Sequence, residues 1–203
     1  MTGPLHSAPL STREAHLLGV LSSQRFRSMQ GLGNEVPFFI CPFDPAESVA
    51  ISKMRTRLVT ALTSRGIGVA QIDLYDIAVG VLRQRGMWDR LLAVEPTKSK
   101  KAMLQTLQSV LDPDRALRTA VAEQLAIAGG EIVFVTGVGE VFPYVRSHTV
   151  LNSLQTVATD RPLLLFFPGE YRQSASKGSS LELFGRLHDD QYYRAFNIFD
   201  YTA

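Results

Sequence analysis

The chain has 203 residues, of which 45% are hydrophobic and 20% charged, and this excludes a disordered polar tail as its main substance and suits one compact domain. The net charge of +2 excludes a strongly basic nucleic-acid binder as the first expectation. The charge is uneven, however, with 13 basic and 8 acidic groups in residues 1–101 against 8 and 11 in residues 102–203.

Met1–Pro9 reads as a loose leader, and it lacks the basic start and apolar centre of a signal peptide. Ser11 or Thr12 can cap a helix with Glu14 in its first turn and Leu17, Leu18 and Leu21 on its apolar stripe. Residues 1–34 are expected to form this leader and helix, and 35–203 a single domain with an irregular, aromatic-rich C-terminal region. Val36–Cys41 is the first predicted strand, with Pro37 marking either an edge position or a strand start. The lone Cys41 excludes an internal disulfide framework and a thiolate zinc cluster. Asp44, Pro45 and Glu47 open a helix to about Ser64, with Val49, Ile51, Met54, Leu58 and Leu62 approximating one face.

Ile67–Leu74 reads as a second strand and Leu74–Gln84 as a helix stopped by Gly86. Residues 87–96 are ambiguous, and Thr97–Lys101 reads as a basic hinge. Two helices, Lys101–Leu111 and Asp114–Ile127, flank Pro113, which does not suit a helix interior. Glu131–Thr136 has the continuous β-branched character of a buried parallel strand. Gly137–Val138–Gly139 then turns the chain into a helix from Phe142 or Pro143 to about Val157. Arg161–Phe167 is the fourth strand, followed by a less regular tail with strand-like Leu181–Phe184. No apolar run reaches the roughly 18 residues that span a bilayer, so a cytoplasmic protein is expected. The alternation predicts an α/β fold, a three-layer sandwich with a mostly parallel central sheet.

The sequence has neither a GxxxxGK[ST] phosphate loop nor a GxGxxG turn. Gly137 and Gly139 follow a strand, where α/β proteins place ligands, and Arg146 and His148 lie on the next helix. They form a candidate anion or ligand loop, although a tight strand–helix turn explains the glycines more simply and Glu140 would repel phosphate. Asp73 and Asp76 can bind Mg²⁺ or cap a helix. Cys41 can be a nucleophile or a buried thiol. The serines at 174, 176, 179 and 180 read as a surface loop. No HExxH, zinc ribbon or GxSxG pattern occurs, so no catalytic residue, cofactor or metal is expected. Two clusters remain: Glu170, Tyr171 and Arg172 after the fourth strand, and Tyr192, Tyr193, Arg194 and Phe196 in the tail. Tyr and Arg are enriched in protein interfaces, and core packing of about half of these aromatics is the plainer alternative.

Taken together, a set of segments resembles the BrxB-like (DUF1788) family of bacteriophage-exclusion (BREX) defence systems. They are Cys41–Pro42–Phe43–Asp44–Pro45 with Glu47, Ile72–Asp73–Leu74–Tyr75, Thr136–Gly137–Val138–Gly139, Phe142–Pro143, Arg146–Ser147–His148–Thr149, Pro168–Gly169–Glu170–Tyr171, Leu183–Phe184–Gly185 and Tyr192–Tyr193–Arg194–Ala195–Phe196. The resemblance implies a non-enzymatic adaptor in a multi-protein system that methylates host DNA and blocks phage replication. Its implied partner is PglZ, the alkaline-phosphatase-like member of that system, with other BREX components as further partners. A degenerate nucleotide-binding regulatory domain and a DNA-binding accessory subunit are the alternatives, the latter using Arg55, Arg57, Arg65 and Lys98–Lys101 on phosphates.

Overall fold

A computed structural model describes residues 5–30, 37–145, 160–174, 178–189 and 195–202, together with 149, 152, 154 and 156. The N-terminal part forms α1 (Leu10–Ser22) and α2 (Gln24–Arg27). Then follow β1 (Phe38–Phe43), α3 (Ser48–Thr63), β2 (Val69–Asp73), α4 (Leu74–Gln84), α5 (Trp88–Val94), α6 (Lys100–Leu111) and α7 (Arg118–Ile127). The C-terminal part holds β3 (Ile132–Thr136), α8 (Val138–Val141), β4 (Leu163–Ser174), β5 (Gly178–Leu183), β6 (Leu187–Asp189) and β7 (Phe196–Asn197).

Five strands lie parallel in the order β2-β3-β4-β1-β7, and β5 and β6 extend β4 as an antiparallel ribbon. The apolar runs explain why helices cover both faces. Side chains alternate sides along a strand, so a run apolar at every position must be buried twice over. Phe38, Ile40, Val133, Val135, Leu163 and Leu165 enter one core with α4 and α7. Phe39, Cys41, Ile132, Phe134, Leu164 and Phe166 enter the other with α1 and α3. The three-layer α/β sandwich with a mostly parallel sheet is therefore the observed architecture.

The structure decides between some local expectations and corrects others. Of the two positions open to Pro37, the strand start is the one observed, since β4 and β7 flank β1. Residues 88–94 are helical, and Ser99 caps α6 by accepting the Ala102 N–H. The expected break between the two helices falls at Asp112, whose ψ of 100° is not helical, and Pro113 opens a π turn, Pro113–Leu117, that leads into α7. After β3 the chain turns at Gly137 alone and is helical at once in α8. Residues 149, 152, 154 and 156 of the expected following helix are helical, and the rest of 146–159 lies outside the described residues. The fourth strand does not end at Phe167. It continues through Ser174, because 169–174 pair antiparallel with 178–183. Ser174, Ser179 and Ser180 thus sit in strands, and Ser176 lies outside the described residues.

Candidate functional site

The carboxyl ends of parallel strands are where α/β proteins gather functional groups. Here Asp73, the last residue of β2, uses both oxygens structurally. Its Oδ1 accepts the backbone N–H groups of Tyr75 and Asp76 at 2.9 and 3.3 Å, capping α4. Its Oδ2 accepts the Thr136 hydroxyl at 2.8 Å, joining the ends of β2 and β3. Gly137 follows at φ +87°, and a Cβ there would stand 2.8 Å from Asp73 Oδ1 and from the Leu74 and Tyr75 amides. The glycine is required by left-handed backbone and by contact with the start of α4.

β4 then carries the chain beyond the sheet. Gly169 allows it, since a Cβ at that position would collide with the Glu182 carbonyl across the ribbon. Glu170 and Glu182 face one another directly in the β4–β5 register. Like charges in that position repel. Arg172 lies between them, donating from Nη2 to Glu170 at 2.9 Å and placing Nε 3.1 Å from Glu182. Glu182 is buried, whereas Glu170 and Arg172 are exposed. The Tyr171 hydroxyl donates to the Ala195 carbonyl at 2.9 Å and ties the ribbon to the tail.

The β5–β6 turn places Phe184 at φ +57°, an outlier for a bulky side chain. Its backbone N–H donates to Pro168 O at 2.8 Å. Its ring packs beside Gly139 and edge-on to Phe142 at 6.4 Å. Phe184 remains 38% exposed and, with Leu187, forms an apolar tip on the ribbon.

Two of the clefts that Phe184 lines reach the strand ends. One, of about 270 Å³, runs past Arg55, Asp73, Thr136 and Glu140. The other, of about 700 Å³, runs past Arg13, Asp44, Glu47, Glu170 and Asn197. In the latter Arg13 is 3% exposed and makes a two-pronged bond to Glu47 at 2.6 and 2.9 Å. Cys41 is wholly buried, and that burial pushes its thiol up to about 12, with nearby Arg13 opposing the shift. It is a packed thiol rather than a nucleophile at neutral pH. Among the described residues no group of three or more His, Cys, Asp and Glu can hold a metal ion. No described helix is long and apolar enough to cross a membrane.

The structure thus brings Gly137 and Gly139 beside the Phe184 ribbon and sets Glu170, Tyr171 and Arg172 on the ribbon itself. Phe196 lies in β7 with its ring 5.8 Å from that of Phe39. Arg146, His148, Tyr192, Tyr193 and Arg194 lie outside the described residues. Phe184 and the Arg13–Glu47 pair are absent from the site residues expected on the sequence. Leu183–Phe184–Gly185 carried a turn signal in its glycine. Nothing local joins Arg13 to Glu47, which are 34 residues apart.

A model of the family described as "BrxB: BREX protein BrxB" matches residues 70–198. The chain belongs to the BrxB family. It is similar to a BREX protein BrxB of Bacillus cereus (strain H3081.97), with 32% identity over 199 residues covering 94% of this chain and 98% of that one. It is also similar to a BREX protein BrxB of Escherichia coli O9:H4 (strain HS), with 25% identity covering 93% of this chain and 91% of the relative. No solved structure matches it. The BrxB match begins inside β2 and reaches the tail, so it spans Asp73, Gly137 and the whole ribbon.

Proposed function

We propose that this protein is a non-catalytic adaptor of a BREX phage-defence assembly and that it binds the PglZ-type, alkaline-phosphatase-like component. Membership of the BrxB family supports the defence role. The observation that carries the adaptor reading is the β4–β5–β6 ribbon. It projects past the carboxyl edge of the sheet and exposes Glu170, Arg172, Phe184 and Leu187. An aromatic tip ringed by charged groups is the composition of a binding hot spot. The polar groups nearest the usual α/β ligand position are engaged instead in capping and strand tying. Tyr192, Tyr193 and Arg194 are assigned to the same interface as contacts.

Co-purification with a PglZ-type protein from the same BREX system tests the reading. Phe184→Asn keeps a residue that tolerates left-handed backbone while deleting the ring. It is expected to weaken the complex at least tenfold with the far-ultraviolet circular dichroism unchanged. Glu170→Gln is expected to weaken it less, because a charge at the rim acts mainly on association rate. Absence of the complex at both low and moderate salt would reject the adaptor role. A complex untouched by either variant would reject the ribbon as its seat.

A further inference from the structure

The lateral edge of the sheet carries a second surface, independent of the ribbon. β2 is the terminal strand, and among the described residues it pairs only with β3. The Gly68 carbonyl accepts the Glu131 and Ile132 amides on the β3 side. Backbone groups alternate sides along a strand, so Ala70 and Ile72 face β3, and Val69, Gln71 and Asp73 turn their N–H and C=O groups outward. Proteins protect such edges with Lys, Pro or a bulge. The Val-Ala-Gln-Ile-Asp sequence of β2 has no Lys or Pro, and its register with β3 runs unbroken.

A groove of about 540 Å³ follows this open edge, bounded by α3, α4 and α7. Two features of its walls are unusual for plain surface. Ile127 of α7 lines it while 82% exposed. Gly80 lines it from the middle of α4, and a Cβ built there would meet nothing within 4 Å. Glycine inside a helix is less favourable than alanine, and here it leaves room for another backbone. The charged groups lining the groove are Asp73, Asp76 and Glu123 against Arg55 alone, a local balance of three to one. Arg55 Nε is buried without a hydrogen-bond partner among the described residues.

We infer that the β2 edge takes an extended, basic peptide segment of another protein as an added strand. The outward ladder groups of Val69 and Gln71 would pair with its backbone. Ile127 would meet its apolar side chains, and the Asp76 and Glu123 carboxylates would meet its Lys or Arg. A second copy of this chain is the poorer occupant, because two-fold pairing of β2 with β2 would set the same acidic groups against each other.

Synthetic peptides test this on the full chain. The probes are a capped, fluorescein-labelled Lys-Val-Lys-Ile-Lys-Val peptide, its Glu-for-Lys counterpart, and two forms of the basic peptide N-methylated on alternate residues. Fluorescence anisotropy at about 50 mM salt, within the range where charge pairing is weakly screened, is expected to show the basic peptide binding at least tenfold tighter than the acidic one. One alternate N-methyl set should abolish binding and the other should leave it, since only one edge of the added strand meets β2. Gly80→Gln, which fills the groove at an unstrained helical position, and the charge reversal Glu123→Lys should each weaken binding severalfold, with thermal melting confirming that both variants fold. Equal binding of basic and acidic peptides, equal effects of the two methylated sets, or no binding at all would overturn the inference. So would a dimer in sedimentation that Gly80→Gln dissociates, because it would assign the edge to a second copy. Neither result depends on PglZ binding, which the ribbon variants test separately.

Discussion

Asp73 illustrates how a residue type that can hold a metal ion is instead committed to structure. One oxygen caps α4 and the other holds Thr136 of the neighbouring strand. Asp73→Ala removes both functions, and a cap together with a hydrogen bond to a charged group contributes about 2–4 kcal/mol. Urea unfolding is expected to show that loss as a lower midpoint with unchanged slope, and Thr136→Val should reproduce only the smaller part. Cys41 supports a prediction of pH dependence. Burial pushes its thiol up to about 12 from 9.0. The unfolded chain releases this proton near pH 9 while the folded chain retains it, so stability is full below pH 9 and falls as pH rises toward 12, by about 1.4 kcal/mol per unit. Between pH 8 and pH 10 the wild type should therefore lose about 1.4 kcal/mol more than Cys41→Ala. Native protein should also react with a thiol reagent at neutral pH no faster than it unfolds.

At the scale of elements, the ribbon depends on one guanidinium between two facing carboxylates. Arg172→Gln keeps a hydrogen-bond donor and deletes the charge, leaving Glu170 opposite Glu182. A cross-strand pair of this kind is worth about 1 kcal/mol, and the effect should be local. Amide hydrogen exchange is expected to speed up at 169–172 and 180–183 while β1 and β3 keep their protection. Uniform acceleration through the sheet would show that the ribbon and sheet open together. The same elements show what was legible in the sequence. α4 is readable to the residue because Asp73 supplies a cap, the apolar spacing has a 3.6 period, and Gly86 supplies a stop at φ +64°. β1, β3 and β4 are readable because their apolar runs are continuous. The extension of β4 was hidden, since Pro168 and Gly169 are turn residues by local propensity. Here the antiparallel partner β5 overrides that preference and uses the glycine for close approach. Phe184 is hidden for a related reason, because a bulky residue is a poor local choice for left-handed backbone and distant contacts fix it there, its N–H on Pro168 O and its ring on Gly139 and Phe142.

On the scale of the whole molecule, the N-terminal helices are part of the core that the sheet needs. Leu17, Val20, Leu21 and Phe26 are each 0–2% exposed in the same cluster as Phe39, Met54 and Ile198. The Phe26 ring packs tilted against that of Phe39 with centroids 4.8 Å apart, and His16 Nε2 lies 3.1 Å from the Ile198 carbonyl at the far end of the chain. Arg57 of α3 donates a two-pronged bond to Glu14 of α1, and that bond holds the Glu14 carboxyl below the usual carboxylate range. Fully burying a large apolar side chain contributes about 1.5–3 kcal/mol, so these four represent about 6–12 kcal/mol. A domain of this size has a net stability of about 5–15 kcal/mol. Removal of residues 1–30 therefore deletes an amount comparable to the whole, and it also uncovers Phe39 on one face of a parallel sheet and the side of α3 that packs on α1. The truncated chain is expected to lose its near-ultraviolet circular dichroism and cooperative melting, and to aggregate through the uncovered face. A synthetic peptide of residues 5–30 added during refolding should restore both signals, because the missing surface is contiguous and the contacts are side-chain packing rather than chain connectivity. Cooperative unfolding of the truncated chain alone, at the wild-type midpoint, would show that α3 and the C-terminal turn suffice to cover that face.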